Sequence, residues 1–165
     1  LPAEIIELLR YWDANDRALY AYWDTLPATL LHGDSHLGNT FSCPDGSAGF
    51  FDWQVIYRGH GLRDVAYFLL NSLENNVRQE YERTLVADYL DELERLGVCI
   101  NREEAWLNYC LYALDALDAN IKTITRGGYG HAASALQRAL QCAVGSIVDN
   151  GTAALLHKVV RDGGL

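Results

Sequence analysis

The spacing of apolar and polar residues predicts a mainly helical chain. Between residues 3 and 24, apolar side chains recur at helical intervals, for example at Ile6, Leu9 and Leu19, and Pro27 closes this segment. Later stretches with the same spacing predict helices at 62–74, 76–96, 101–126, 130–149 and 152–161. We therefore expect a single domain over residues 1–165, of the α+β class but mainly α.

Glycine and asparagine mark the ends of the predicted helices. Gly97 ends the helix before it, as a glycine often does at the first position beyond a helix. Asn101 can cap the following helix, because Glu104 lies three residues further on and completes a capping-box pattern. Gly127 and Gly128 then stop that helix.

One interruption of the helical pattern predicts a β-hairpin near residues 40–52. Two short strand-like runs, at 40–43 and 48–53, flank the turn sequence Pro-Asp-Gly-Ser at 44–47. The preceding segment, 28–39, is rich in Gly, His and Asp, and its pattern indicates no regular element.

The expected register of the hairpin brings two polar residues together. If the turn is centred on Asp45 and Gly46, Asn39 lies opposite Asp52. Directly opposed residues of an antiparallel pair have Cβ atoms roughly 5 Å apart. This register predicts that the two side chains face each other.

Composition and charge narrow the possible function classes. The 165 residues are 50% apolar and 21% charged, which suits a globular chain with a filled core. A formal net charge of −9 is a poor match for nucleic acid or for an anionic membrane surface. No apolar run approaches the roughly 18–20 residues that span a bilayer, and the four cysteines form no C-x-x-C pair. We expect a cytoplasmic protein with reduced thiols and no nucleic-acid partner.

The segment from His32 to Asn39 contains the clearest chemistry. It reads His-Gly-Asp-Ser-His-Leu-Gly-Asn, and Asp52 follows thirteen residues after Asn39. An asparagine carbonyl and an aspartate carboxylate form an oxygen-only site, which Mg²⁺ prefers together with water and phosphate oxygens. Asp34 lies close to these ligands in the sequence, where a carboxylate can orient a hydroxyl group and accept its proton. The combination indicates phosphoryl transfer.

The order of the motifs resembles the aminoglycoside phosphotransferase and choline-kinase-like superfamily of small-molecule kinases. The shared features are H-G-D-x-H-x-x-N, a hairpin, a D-W-Q triplet, and a stretch from Gly61 through Asp64 to Ala66. The helix over 74–97 is also similar to the ecdysteroid-kinase-like branch. Protein kinases differ, because they have Arg at the position of Gly33 and D-F-G in place of D-W-Q. The resemblance implies the C-terminal helical lobe of a protein-kinase-like fold.

This resemblance also implies roles for the motif residues and a reaction. Asp34 is the catalytic residue, His32 supports the catalytic loop, and Asn39 and Asp52 bind Mg²⁺. ATP is the cosubstrate, and the phosphate acceptor is a hydroxyl of a small molecule such as an aminoglycoside or an amino alcohol.

Further residues have supporting or substrate-binding roles by the same resemblance. Asp64 hydrogen-bonds backbone amides of the catalytic loop from the start of a helix, and His36 is the second histidine of the motif. In this superfamily the helices after the hairpin build the acceptor site. Asp115 and Asp118 are therefore candidates for binding a cationic acceptor, although a solvated helix face is the simpler explanation for both. Tyr129 is a third candidate, because it lies in a loop between Gly128 and Gly130 and could reach a pocket.

The nucleotide lobe of the superfamily is not visible in this chain. The two lysines, Lys122 and Lys158, both lie in late helical segments, and no Gly-rich loop precedes His32. We expect residues 1–165 to be the C-terminal lobe alone, which needs a missing N-terminal lobe for activity. The alternative is a truncated or degenerate lobe that acts as a non-catalytic binding module.

Two metal-based alternatives fit the sequence less well. His32 and His36 could be zinc ligands on a helix, but Gly33 and Gly38 argue against a helix there and no third ligand is evident. Metal-dependent hydrolysis would use the same carboxylates but lacks the residues for a two-metal cluster.

Overall fold

A computed structural model describes residues 1–162, and helices form most of that part of the chain. The helices are α1 (Ala3–Trp23), α2 (Leu62–Ser72), α3 (Asn75–Arg95), α4 (Arg102–Thr125), α5 (Ala133–Asp149) and α6 (Thr152–Asp162). The mainly helical α+β class is confirmed, and each helix lies close to its predicted bounds.

The predicted end signals act as expected at both ends of the α3–α4 connection. Gly97 has a φ of 84°, and Val98 N donates to Leu93 O at 2.8 Å, which makes a Schellman motif after α3. The side-chain oxygen of Asn101 accepts hydrogen bonds from the backbone N–H groups of Glu103 and Glu104. These caps fix where two long helices end and begin.

Within residues 1–162, four short strands form two separate antiparallel pairs. The strands are β1 (Thr29–Leu31), β2 (Thr40–Ser42), β3 (Ala48–Phe50) and β4 (Tyr57–Gly59). β2 and β3 form the predicted hairpin, whereas β1 pairs with β4. The expectation that 28–39 contains no regular element was wrong: the segment holds β1 and a 3₁₀ turn at Leu37–Asn39. A strand of three residues is too short to show an alternating pattern.

The register of the hairpin differs by one residue from the predicted one. Thr40 pairs with Phe50, and Phe51 N donates to Asn39 O at 3.0 Å, so Asn39 is not opposite Asp52. The cause is a three-residue loop, 44–46, closed by a hydrogen bond from Cys43 N to the carbonyl oxygen of residue 47. Proline at position 44 joins the loop, and glycine at position 46 takes the left-handed conformation that such a loop requires.

The core is built around α4, which is buried on most sides. Tyr109, Leu111, Leu114 and Leu117 are almost completely inaccessible to solvent. α2 and α5 pack against α4, and α1 packs against α6. This arrangement places the N-terminus of α2 against the segment that follows β1.

Two further features are the hydropathy of the helices and the state of the cysteines. No helix within residues 1–162 is long and apolar enough to cross a bilayer. All four cysteines are free thiols, two buried and two at least partly accessible.

Candidate active site

Asp64 anchors the segment after β1 to the first turn of α2. Its carboxylate accepts hydrogen bonds from the backbone N–H groups of His32, at 2.6 Å, and Gly33, at 3.2 Å. The hydroxyl of Ser35 donates to the backbone carbonyl of Asp64 at 2.8 Å. Residues 32–35, which we call the catalytic loop, are therefore fixed to a rigid helix at three points.

Arg63 adds a second attachment and accounts for one of the acidic residues of α4. Its Nη1 donates to the carbonyl oxygen of Gly33 at 2.5 Å, and its Nε donates to Asp115 at 2.8 Å. Asp115 therefore orients the guanidinium of Arg63, which in turn binds the backbone of the loop at Gly33. Sequence reasoning missed Arg63, because nothing in the pattern links it to a residue 52 positions away.

His32 connects the catalytic loop to the end of the hairpin. The side chain is buried, with 3% exposure, and its Nδ1 accepts a hydrogen bond from Asp34 N at 3.2 Å. The other ring nitrogen, Nε2, therefore carries the proton and donates to the carbonyl of Phe51 at 2.8 Å. Through these two hydrogen bonds, His32 fixes the spacing between Asp34 and the residue before Asp52.

Asp34 is surrounded by groups that favour its ionised form. Nε2 of His36 lies 3.6 Å from one carboxylate oxygen, which also accepts from Asn39 Nδ2 at 3.2 Å. The other oxygen accepts from the Tyr67 hydroxyl at 3.1 Å. His36 is the largest influence, and with the two donors it lowers the pKa of Asp34 to about 2, despite partial burial. Asp34 is a carboxylate at any physiological pH.

Asn39 and Asp52 offer oxygen atoms on the same side of the catalytic loop. Asn39 uses its amide nitrogen to donate to the backbone and side-chain oxygens of Asp34, so the carbonyl oxygen is its remaining polar atom. Asp52 is exposed and has a φ of 63°, a strained conformation for a residue with a Cβ. Strain of this kind concentrates at functional sites. The one-residue difference in register does not separate the two residues, because both line one cleft.

This cleft has a volume of about 910 Å³ and runs from the catalytic loop to α5. The sequence-predicted residues that line it are Asp34, His36, Asn39, Asp52 and Tyr129. Lining residues that sequence reasoning missed include Gln54, Tyr67, Asn71, Asn120, Thr123, His131 and Arg138. Two of them had a usable signal. Gln54 is the last residue of the D-W-Q triplet, and Tyr67 lies one helical turn beyond Asp64 on α2.

The other predicted site residues do not line the cleft. His32 and Asp64 lie behind the loop and act on its backbone. Asp115 contacts Arg63, and Asp118 forms an ion pair with Lys122 at 2.5 Å, in a separate groove between α1 and α4. The two aspartates of α4 thus contact basic side chains of the protein rather than the cleft.

The residues described from 1 to 162 contain no group of three or more His, Cys, Asp or Glu side chains that could hold a metal ion. Neither the zinc alternative nor a two-metal centre therefore has a ligand set in this part of the chain. A metal held by one carboxylate, one amide oxygen and the phosphates of a substrate needs no such group.

We expect Gly33→Ala to destabilise the catalytic loop. Gly33 has a φ of 84°, and a Cβ at this position would lie 2.3 Å from the backbone oxygen of Val55. Because that atom is backbone, the loop or the segment before β4 has to move. The loss of folding free energy should exceed the ~1–2 kcal/mol of a left-handed residue alone.

Gly46→Ala is the matched control for this prediction. Gly46 has a nearly identical φ of 85°, but nothing lies within 4 Å of an added Cβ. Urea denaturation of both variants separates the conformational penalty from the steric one. Equal losses of stability would show that the catalytic loop accommodates the added methyl group.

Comparison with known families gives one match. The model described as "Phosphotransferase enzyme family" (APH) matches residues 1–99, which include the catalytic loop, both strand pairs and α1 to α3. No curated protein and no solved structure matches the chain.

Proposed function

The chain belongs to the phosphotransferase enzyme family, and from this premise we propose that the intact protein transfers the γ-phosphate of ATP to a hydroxyl group of a small molecule, with Mg²⁺ as cofactor. The observation that carries this proposal is the position of Asp34. It is an ionised carboxylate on the cleft surface, with the oxygen ligands Asn39 and Asp52 lining the same cleft.

In the proposed reaction, Asp34 orients the acceptor hydroxyl toward the phosphate and accepts its proton as the new bond forms. The donors from Tyr67 and Asn39 fix the plane of the carboxylate. Burial and the neighbouring Asp34 raise the pKa of Tyr67, so its hydroxyl stays protonated and remains a donor.

The residues around the cleft fit a magnesium ion that shares its ligands with a nucleotide. Asn39 and Asp52 would hold the ion, since they present one neutral and one charged oxygen donor. When bound, Mg²⁺ neutralises charge on the β- and γ-phosphates.

Positioning residues complete the proposed site. Asp64 and Arg63 hold the backbone of the catalytic loop, and His32 holds the loop against the hairpin. None of the three touches the cleft, so each acts through Asp34 or Asp52. Their substitution should lower turnover by displacing these carboxylates rather than by removing a reacting group.

Exposed apolar side chains support a further part of the proposal, a nucleotide lobe that packs on the strand region in the intact protein. Large exposed apolar residues between positions 30 and 57 are Leu30, Leu37, Phe41, Phe50, Phe51, Trp53, Val55, Ile56 and Tyr57. Apolar patches of this kind mark interaction surfaces. In this arrangement ATP is bound between that lobe and the catalytic loop, so residues 1–165 alone bind it weakly and are inactive.

The test is the binding of Mg·ATP to the intact protein, measured by calorimetry. Asp52→Asn removes the one carboxylate assigned to the metal and should weaken binding about tenfold or more. Asp34→Asn should weaken it much less. Asp88→Asn on α3, an exposed carboxylate outside the cleft, should leave it unchanged. Native affinity in Asp52→Asn would contradict the metal assignment, and ligand binding without ATP turnover would favour the non-catalytic module.

A further inference from the structure

The connection between α4 and α5 carries an exposed tyrosine in an unusual backbone conformation. His131 N donates to the carbonyl oxygen of Gly128 at 2.8 Å and closes a tight turn, which has Tyr129 and Gly130 at its centre. Their φ values are 47° and 84°, so both central residues are left-handed, as in a type I′ turn. Such positions usually hold Gly, Asn or Asp. A tyrosine here costs conformational free energy that another interaction has to offset.

Packing within the protein does not offset this cost. Tyr129 is 65% exposed. Among residues 1–162, no hydrogen bond involves its hydroxyl and no aromatic ring contacts its ring. The turn is instead attached through Gly128, which is buried and lies against Leu136 of α5. The fold thus presents the ring of Tyr129 to solvent, and backbone outliers of this kind concentrate at functional sites.

The same turn lies close to Asp34. Tyr129 lines the cleft, and the ring centroid of His131, two residues further on, lies 5.9 Å from that of His36. Nε2 of His36 in turn lies 3.6 Å from the carboxylate of Asp34. Two side-chain contacts therefore connect the turn to the group that orients the acceptor hydroxyl in the proposed reaction.

The cleft has further apolar lining on both sides of this connection. Leu37 follows His36 and is 60% exposed. The apolar lining residues of α5 are Ala135, Leu136 and Ala139, and Leu136 also contacts the turn at Gly128. This lining suits an acceptor that has an apolar face beside its hydroxyl group.

The charged groups of the cleft disfavour a cationic acceptor. Among the described residues that line it, Asp34 and Asp52 are the only acidic ones, and the hydroxyl and metal roles proposed above use both. The guanidinium of Arg138 lines the same cleft. An ammonium group on the face of Tyr129 would share the cleft with this positive charge and have no further carboxylate to pair with. A neutral ring avoids both costs.

We propose that Tyr129 binds the phosphate acceptor and that this acceptor is a neutral hydroxyl compound with a planar apolar ring, which stacks on the tyrosine. This inference rests on the proposed kinase function for the word acceptor, but binding of the ring does not depend on turnover. Stacking of two aromatic rings adds to the gain from burying their apolar surface, and this gain offsets the cost of the turn.

The experiment compares four small hydroxyl compounds: benzyl alcohol, cyclohexylmethanol, glycerol and ethanolamine. They represent a planar ring, a non-planar ring of similar size, a polyol and a cationic amino alcohol. Binding to the intact protein is followed by NMR through the ring signals of Tyr129, which are assigned by their loss in Tyr129→Phe. We expect the largest response with benzyl alcohol.

Two results of this comparison would overturn the proposal. A Tyr129 ring that responds more strongly to glycerol or ethanolamine than to benzyl alcohol would contradict a neutral ring as ligand. Equal binding of cyclohexylmethanol and benzyl alcohol would show that the site selects apolar volume rather than a planar ring.

Substitutions of Tyr129 test whether its ring provides the binding. The affinity of each variant is measured from the signals of benzyl alcohol itself. Tyr129→Ala should weaken binding about tenfold or more, whereas Tyr129→Phe should retain it, because the hydroxyl has no partner to lose. Tyr81→Ala, at an exposed tyrosine of α3 outside the cleft lining, should change nothing. Unchanged affinity in Tyr129→Ala would place benzyl alcohol elsewhere and contradict the assignment.

Tyr129→Gly distinguishes a binding role from a structural one. Glycine adopts the left-handed conformation without a steric penalty, so this variant should unfold at the native Tm or above it. It should nevertheless lose affinity for benzyl alcohol as Tyr129→Ala does. A lower Tm in thermal unfolding would show that the ring stabilises the fold and would contradict the proposal.

The outcomes separate this inference from the proposed function. Binding of benzyl alcohol at Tyr129 without any ATP-dependent phosphorylation would leave the ring site in place and refute the kinase proposal. Phosphorylation of an amino alcohol, with no response of Tyr129 to benzyl alcohol, would do the opposite.

Discussion

Asp34→Asn in the intact protein is expected to lower kcat for phosphoryl transfer by about 10²–10⁴-fold, the usual range for loss of a positioned general base. Asparagine keeps the size of the side chain but removes the charge and one proton acceptor. The catalytic loop should keep its shape, because Asp64 and Arg63 hold its backbone independently. The loss should therefore fall on kcat, while the affinity for Mg·ATP changes little.

The low pKa of Asp34 determines the pH dependence that accompanies this result. A carboxylate whose pKa in the folded protein is about 2 is a weak base, so its main contribution is to orient the hydroxyl and to stabilise charge. Since the pKa is lowered relative to the unfolded chain, the stabilisation linked to ionisation is present above about pH 4 and is lost as the pH falls toward 2. We expect the pH profile of kcat to show no acid limb from Asp34 between pH 5 and pH 8.

Steady-state assays of Asp34→Asn and of two further variants test the role assigned to Asp34. Asp88→Asn removes an exposed carboxylate of α3 and should leave kcat unchanged. His36→Gln removes the largest influence on the pKa of Asp34, so it should raise that pKa and shift the acid limb of kcat, which lies below pH 5 in the native protein, to a higher pH. If Asp34→Asn kept more than about a tenth of the native kcat, the role assigned to Asp34 would be wrong.

Much of the fold could be predicted because its signals are local. A helix of three or more turns repeats its apolar spacing several times, and Asn101 and Gly97 mark ends through contacts within a few residues. The strands were harder, because each has three residues and β1 meets β4 across a long separation in the sequence. The register of the hairpin depends on whether Pro44 belongs to the turn or to the strand. The sequence is compatible with both arrangements.

The candidate site likewise contains residues that are close together in the sequence and residues that only helix packing brings together. The motif from His32 to Asn39 is continuous in the sequence, so its composition was enough to predict that Asp34, His36 and Asn39 lie near one another. The wall of the cleft formed by α4 and α5 could not be predicted from the sequence, because Asn120 and Arg138 come together only through the packing of these two helices. Asp115 looked like a substrate ligand, but its contact with Arg63 depends on how α2 packs against α4.

The second large effect concerns stability rather than chemistry and centres on Arg78 of α3. Its side chain is completely buried and donates to Glu82 on the same helix at 2.7 Å and to Asp149 at the end of α5. The opposite oxygen of Glu82 accepts from the Tyr109 hydroxyl of α4 at 3.0 Å, and Asn150 adds a further donor. One ionic network therefore joins three helices at a point remote from the cleft.

We expect Arg78→Met to lower the free energy of unfolding by about 3–5 kcal/mol, because it leaves the carboxylate of Glu82 buried without its counter-charge. For a chain of this length such a loss lowers Tm by roughly 6–20 °C. Methionine fills a similar volume, so a cavity contributes little to the change. Thermal and urea unfolding monitored by circular dichroism give both quantities.

A second substitution separates the burial of an unpaired charge from a general loss of packing. In Arg78→Met/Glu82→Leu both charges are gone, and a buried ion pair replaced by apolar residues is often neutral or stabilising. The double variant should recover at least half of the stability that the single variant loses, even though Tyr109 loses its acceptor. Arg95→Met, which breaks an exposed pair with Glu92 on the same helix, should change little. If the double variant were less stable than Arg78→Met, the network would stabilise the fold through its hydrogen bonds and not merely by compensating a buried charge.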